Sequence, residues 1–175
     1  MPLAVTHILV PIIMVDTLRD HILKKTKAIT NKHILLAGLA GLFPDIDIPI
    51  GHIFLNANVH RLYTHNIWIP LLFLAFAMYF WSINKKKVAL YFVMMAFGFS
   101  THLVLDGILS GTIRPFYPVS NYDWGWDLFG RFFGAFYPRL ANPDFGALLF
   151  SSLDAVLLFF WLIHEELAHK IKDYF

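Results

Sequence analysis

The chain has 175 residues, 58% of them hydrophobic and only 15% charged, with a mean hydropathy of +0.59. That is one domain's length and far too apolar for an ordinary soluble protein, so residues 1–175 are read as a single membrane-embedded domain. The absence of cysteine excludes disulfides, thiolate metal sites and cysteine nucleophiles, and a formal charge of +2 without clustered Arg/Lys beside stacking aromatics excludes nucleic acid as an expected partner.

The start, Met1-Pro2-Leu3-Ala4-Val5, has no basic n-region or small-residue cleavage signal and is read as retained. Residues 2–15 are apolar apart from Thr6 and His7, enough for a short span. Asp16 to His33, with Arg19, Lys24, Lys25, Lys27 and Lys32, has the composition of a cytoplasmic loop or surface helix. A second apolar run, Ile34 to Phe43, carries Gly38 and Gly41 on a face suited to close packing and is broken by Pro44. Asp45-Ile46-Asp47 follows in irregular chain, which at membrane depth is tolerated only where it is buried in protein or lines a polar cavity.

After a connection with Asn56, Asn58, His60, Arg61, Thr64 and His65, a third span runs from about Ile67 to Ile83 and stops at Lys85-Lys86-Lys87. The fourth, Val88 to about Leu109, carries His102 and Asp106 near its far end. Four residues apart on a helix, these two share a face and can grip one ion; the alternative is a His–Asp hydrogen bond that pins the helix in its bundle. Residues 110–145 mix Gly, Pro, Tyr, Trp and charges in the manner of an interfacial cap, and the last span is Gly146 to about Ile163. The fold class expected is therefore all-α: a polytopic membrane bundle of about five spans, some short or re-entrant, under an interfacial loop cap.

Charge orients this bundle. With the first connection, the lysine turn and the tail in the cytoplasm, ten of the fourteen Lys/Arg lie inside, and Arg61, Arg114, Arg131 and Arg139 lie outside. The same arrangement brings His7, Asp45, Asp47, His65, His102 and Asp106 together on the outer side. Three imidazoles and three carboxylates suit zinc first, with manganese or iron also compatible, and six ligands suit two ions sharing a carboxylate. Metal-activated water would be the nucleophile. Arg61, Asp47 and His65 are expected to serve catalysis, Arg61 by neutralising an anionic substrate, with Arg114 as a second candidate that can equally snorkel at the interface.

Blander roles are expected elsewhere. His21, His33, His164 and His169 fall on the cytoplasmic side as surface or interfacial residues. His52 and His60 lie outside, His60 with a lesser case as an extra ligand or proton shuttle. Asp154, costly inside a span, is expected to orient a ligand histidine or to pair within the bundle. Thr64 and Ser120 can hydrogen-bond a ligand, a substrate or the backbone.

The order of motifs Thr6-His7, Leu42-Phe43-Pro44-Asp45-Ile46-Asp47, His60-Arg61-Leu62-Tyr63-Thr64-His65-Asn66, Ser100-Thr101-His102 through Asp106, and Pro115-Phe116-Tyr117-Pro118-Val119-Ser120 resembles the family of membrane-bound metal-dependent hydrolases, which includes a LexA-regulated inner-membrane protein. The resemblance covers about residues 1–120. It implies a polytopic helical protein with metal-dependent hydrolase activity, with His7, Asp45, Asp47, His65, His102 and Asp106 as ligands and Arg61 beside them. The chain departs from the pattern at Val59, where Gly commonly precedes His-Arg, and at Asn66, where Ser commonly follows Thr-His.

The function expected is hydrolysis of a phosphoester of the lipid or lipid-head-group type at the outer membrane–water boundary of the cell membrane, with membrane lipids as partners. A divalent metal-ion transporter or carrier is the alternative, and it requires ligands continuing toward the cytoplasmic half, where only Asp154 is expected to lie deep. An integral lipid-phosphate phosphatase ranks lower because its other motifs are missing, with Arg114-Pro115 an isolated dipeptide. A purely structural membrane protein is the remaining possibility.

Overall fold

The computed structural model of the protein describes residues 4–23, 28–55, 60, 61, 63–136 and 143–167. Lys24, Lys25, Lys27, Asn56, Asn58, Arg139, His169, Lys170 and Lys172, and the side chain of His52, lie outside the described residues.

The described chain is helical. Helix α1, Ala4–Thr17, runs on through a π turn, Leu18–Ile22. Helix α2, Asn31–Ala40, starts where the Thr30 backbone N–H donates to His33 Nδ1 at 3.1 Å. It gives way at Gly41 to the 3-10 turn Phe43–Ile46, because Pro44 has no backbone N–H with which to continue the ladder. The short α3, Asp47–Ile50, and a π turn, Gly51–Leu55, follow. Helices α4, Trp68–Ser82, and α5, Lys86–Leu109, form a tight hairpin that turns at Asn84 in the left-handed region (φ 59°). Residues 110–127 are irregular, pinned by one antiparallel bridge between Ile113 and Trp124, and lead to α6, Leu128–Phe136, and α7, Pro143–Leu167.

Among the described residues, two helices are long and apolar enough to cross a membrane, Lys86–Leu109 and Ala147–Leu167, and a third crossing is reached if α2 and Phe43–Ile50, bent by 46°, count as one span. The 15 residues of α4 extend only about 22 Å against a hydrocarbon core of about 30 Å. The expectation of an all-α membrane protein is met, and length and composition support two or three of the five expected spans.

Helix α2 sits between α1 and α5 because glycines let the backbones touch. A Cβ on Gly41 would lie 2.1 Å from the carbonyl oxygen of His7, and one on Gly98 would lie 2.0 Å from that of Ala37. One apolar cluster, Ile12, Val15, Ile29, Ile34, Ala37 and Met94, fills the space among these helices; a second, Phe99, Leu103 and Ile113, joins α5 to the cap. Helix α7 packs on α1 through polar contacts. Thr6 donates to Asp154 Oδ1, and His164 Nε2 lies 3.9 Å from Asp16 Oδ2. Both pairs are 148 residues apart, so the first and last helices run parallel in fixed register.

The stretch expected as a solvated cytoplasmic loop or surface helix differs from that expectation. Asp16 and Arg19 are buried and paired with each other, and Arg19 also donates to Asn31 Oδ1 at 2.6 Å, which ties α1 to the start of α2. His33 is likewise buried, with its ring stacked on Tyr91 at 4.4 Å, and is not the surface residue expected. Composition marked these residues as polar, but packing buries them, Arg19 against the start of α2 and His33 against Tyr91 of α5.

Gly98→Leu is expected to force α2 and α5 apart and to destabilise the detergent-purified protein by at least about 1–3 kcal/mol, the usual cost of overpacking. Thermal unfolding measures this, with Leu72→Ala on the exposed face of α4 as a control expected to change little.

Candidate metal centre

Four chain segments end at one place. His7 comes from the first turns of α1, Asp45 and Asp47 from the bend after α2, His65 from the loop ahead of α4, and His102 and Asp106 from the last turns of α5. All six expected ligands are therefore brought to one end of the bundle. His7, His65, His102 and Asp106 are essentially fully buried, Asp47 is 3% exposed, and Asp45 is the open edge at 21%.

The hydrogen bonds decide which atoms face the centre. His102 Nδ1 lies 2.6 Å from the carbonyl oxygen of Gly41, an acceptor only, so Nδ1 carries the proton and Nε2 carries the lone pair. Thr64 Oγ1 donates to Asp47 Oδ2 at 2.7 Å and so accepts from His65 Nδ1 at 3.1 Å, which leaves the lone pair of His65 on Nε2 as well. The two Nε2 atoms are 3.1 Å apart. Lone pairs facing at that distance repel unless a proton or a cation lies between them.

The oxygens around them complete a cage. Asp45 Oδ1 is 3.6 Å from His65 Nε2 and 3.5 Å from His102 Nε2, and Asp106 Oδ2 is 3.4 and 3.8 Å from the same atoms. Metal–ligand bonds of about 2.0–2.2 Å give ligand–ligand edges of roughly 3.3–3.6 Å, near these five separations, and His7, His102 and Asp106, as well as Asp45, His60 and His65, each gather ligand atoms within 4.8 Å of one another. Asp45 Oδ1 is buried and has no hydrogen-bond partner among the described residues, and the same holds for Asp106 Oδ1, which faces His7 Nε2 at 3.5 Å. Such a donor set fits a divalent cation with nitrogen and oxygen ligands. The imidazole of His7 stacks on His102 with ring centroids 3.8 Å apart.

His65 lies outside the helices. Burial works to lower its pKa, but Asp106, Asp45 and Asp47 around the ring outweigh burial and push it up to about 10. The centre thus carries surplus negative charge that draws a cation at neutral pH, either the proton on His65 or a metal ion in its place.

Asp47 has a different setting from Asp45. Its Oδ1 faces His60 Nδ1 at 3.0 Å, and its Oδ2 accepts from the Arg61 backbone N–H at 2.9 Å and from Thr64. It therefore holds the 60–65 loop and, through Thr64, the ring of His65. Arg61, expected to meet an anionic substrate, turns inward from a left-handed backbone (φ 65°). Its Nη2 pairs with Asp106 Oδ2 at 2.7 Å, and its Nη1 donates to the carbonyls of Ser110 and Thr112 at 3.1 and 3.4 Å. Gly111, at φ 82°, leaves room for that guanidinium, since a Cβ there would lie 2.7 Å from Nη1.

The other candidates separate from the centre. Arg114 pairs with exposed Asp123 at 3.0 Å, Asp154 accepts from Thr6 and so pairs within the bundle, and Ser120 accepts from the Tyr122 backbone N–H at 3.2 Å. Sequence reasoning missed the backbone carbonyls of Gly41, Ser110 and Thr112, which orient His102 and Arg61. A carbonyl has no residue signature, although the glycines at 41 and 111 mark where the chain comes close.

Arg61→Ala leaves the buried Asp106 carboxylate without its guanidinium, a change that usually costs about 3–5 kcal/mol, and a lower unfolding temperature is expected. Arg61→Lys restores the charge but not a fork that spans Asp106 and two carbonyls, so it should recover only part of the loss. Residues 1–167 match the family model described as YdjM inner membrane protein. No curated protein and no solved structure matches the chain. With a match over nearly its whole length, the chain belongs to the YdjM inner membrane protein family.

Proposed function

We propose that this membrane protein is a metal-dependent hydrolase that cleaves a phosphoester of the lipid or lipid-head-group type at the non-cytoplasmic membrane–water boundary. The observation that carries the reading is the pair of Nε2 atoms held 3.1 Å apart with carboxylate oxygens of Asp45 and Asp106 beside both. Asp45, His65, His102 and Asp106 would hold the first ion, zinc being the best match. Asp106, with one oxygen toward His65 and His102 and the other toward His7, would be the carboxylate shared with a second.

A divalent cation there supplies Lewis acidity toward a phosphoryl oxygen and makes water nucleophilic near neutral pH. The residues of the chain do the rest. Asp47 holds His65 through Thr64, Arg61 fixes Asp106, and the Gly41 carbonyl fixes His102, so the donor atoms need no rearrangement. Asp45 is the edge from which substrate can approach. His60, on Asp47 and with a side chain 15% exposed, is placed to carry a proton between the loop and solvent.

The finer topology belongs to the same reading. Parallel packing of α1 and α7 requires an odd number of crossings counted through both, which supports five spans with α1 and α4 entering, and α2 and α5 leaving, on the side of the centre. One observation favours the alternative of a divalent-cation carrier. Asp16, His164 and Glu165 gather their ligand atoms within 4.8 Å of one another, and Asp16 lies roughly 14 Å along α1 from His7, so polar groups do reach the far end.

Purified protein should contain about one or two divalent ions per chain and hydrolyse a phosphoester, with both properties lost on chelation and in His102→Ala. Removing an orienting partner, as in Asp47→Asn, should weaken metal affinity by about 10–100-fold. Hydrolysis that survives complete metal removal refutes the reading; cation uptake into proteoliposomes without hydrolysis favours the carrier. Because the chain has no cysteine, single cysteines report topology cleanly. An impermeant maleimide should label Val119→Cys from the outer side and Lys86→Cys only from the cytoplasmic side.

A further inference from the structure

The segment 124–127 lies across the end of α5, where the Trp126 backbone N–H donates to the Gly107 carbonyl at 2.6 Å and Ile113 and Trp124 exchange two backbone hydrogen bonds at 2.8 Å. Asp127 follows. Its backbone is left-handed (φ 46°), a conformation that Asp and Asn tolerate better than other side chains. From there Oδ1 accepts from the Gly111 backbone N–H at 2.9 Å. Residue 130, in the first turn of α6, makes room for the carboxylate by being glycine, since a Cβ there would lie 2.1 Å from Oδ2. The Gly111 N–H shares one peptide plane with the carbonyl of Ser110, which accepts from Arg61 Nη1 at 3.1 Å. A trans peptide points its N–H and C=O in opposite directions, so an anion on one side and a guanidinium on the other hold the same rigid plate. The plate needs holding, because Gly111, at φ 82°, has no Cβ to resist its rotation.

We propose that Asp127 is a positioning residue of the centre: by fixing the Ser110–Gly111 peptide it sets the place of Arg61 and, through Arg61, of Asp106. The line of contacts is continuous. Arg61 Nη1 reaches the carbonyls of Ser110 and Thr112 on either side of Gly111, and its Nη2 pairs with Asp106 Oδ2 at 2.7 Å, the oxygen that also faces His65 and His102. If the peptide turned over, the Ser110 carbonyl would leave Nη1 and an N–H would face a guanidinium that has no acceptor to offer it. Arg61 would keep only the longer contact with the Thr112 carbonyl at 3.4 Å beside its pair with Asp106. The cap, residues 110–127, supplies none of the six expected ligands, yet through Asp127 it controls how firmly one of them is held.

The effect of Asp127 on a bound ion rests on the hydrolase reading; its effect on Arg61 does not. Two variants isolate the hydrogen bond. Asp127→Asn keeps an acceptor oxygen and suits the left-handed backbone, whereas Asp127→Gly suits that backbone and has no acceptor. In metal-free, detergent-purified protein, phenylglyoxal should modify Arg61 roughly fivefold faster in Asp127→Gly, the factor one net hydrogen bond supplies, and at nearly the wild-type rate in Asp127→Asn. Peptide mass spectrometry reads each arginine separately, and Arg19, buried at the far end, should stay unchanged in both. Zinc affinity, measured by competition with a chelator, should fall by a similar factor in Asp127→Gly and be kept in Asp127→Asn. Equal Arg61 rates in the two variants, or Arg19 reacting faster together with Arg61, overturn the proposal, and so does zinc affinity that stays at the wild-type value while Arg61 is released. Arg61 released as expected in a protein that binds no zinc, or binds it without cleaving any phosphoester, supports the positioning role and defeats the hydrolase reading alone.

Discussion

Two imidazoles that turn their Nε2 atoms toward each other at 3.1 Å, with the carboxylates of Asp45 and Asp106 beside both, are the constraint on which this molecule is arranged. With a proton on His65 the pair is an N–H···N hydrogen bond, and each ring is held from behind, His102 by the Gly41 carbonyl and His65 by Thr64 and, through it, Asp47. In an apolar bundle that positive charge cannot be supplied diffusely by water, so it must be a bound proton or a bound ion.

The helices are placed as that convergence requires. His7 stands at the start of α1, Asp45 after the end of α2, His65 before α4, and His102 and Asp106 at the end of α5, an alternation that puts every contributing terminus at one end of the bundle. Close backbone contacts at Gly41 and Gly98 allow it, because a side chain at either would hold α2 away from α1 or α5 and separate the donors. Helix α7 contributes no donor to the centre, yet its Asp154 grips Thr6 beside His7, so it also steadies the first helix.

Charge is treated differently at the two ends. At the centre, carboxylates face imidazoles and one arginine, and Arg61 is directed inward with its guanidinium engaged by Asp106 and the end of α5. At the far end, Asp16 and Arg19 neutralise each other and fasten α1 to α2. The first arrangement leaves acceptor atoms turned toward a common point; the second largely closes on itself. Among the described residues, the group of Asp16, His164 and Glu165 is the feature of the far end that resembles the centre.

Much of this was legible in the chain itself. Apolar runs predicted α1, α2, α4, α5 and α7 to within a few residues, Pro44 and the lysine turn predicted their breaks, and the common outer side that the Lys/Arg distribution gave His7, Asp45, Asp47, His65, His102 and Asp106 put the six together. Sequence could do this because hydropathy and helix periodicity are local properties. It could not separate Asp45, open toward the two Nε2 atoms, from Asp47, engaged by His60, Arg61 and Thr64, since two carboxylates two residues apart look alike until a helix bend sends them to different neighbours. Nor could it foresee that Arg61 points inward, that Asp16 and Arg19 are buried, or that the first and last helices run parallel. Those outcomes depend on contacts between segments dozens of residues apart, and only the packing of the helices determines which distant groups meet.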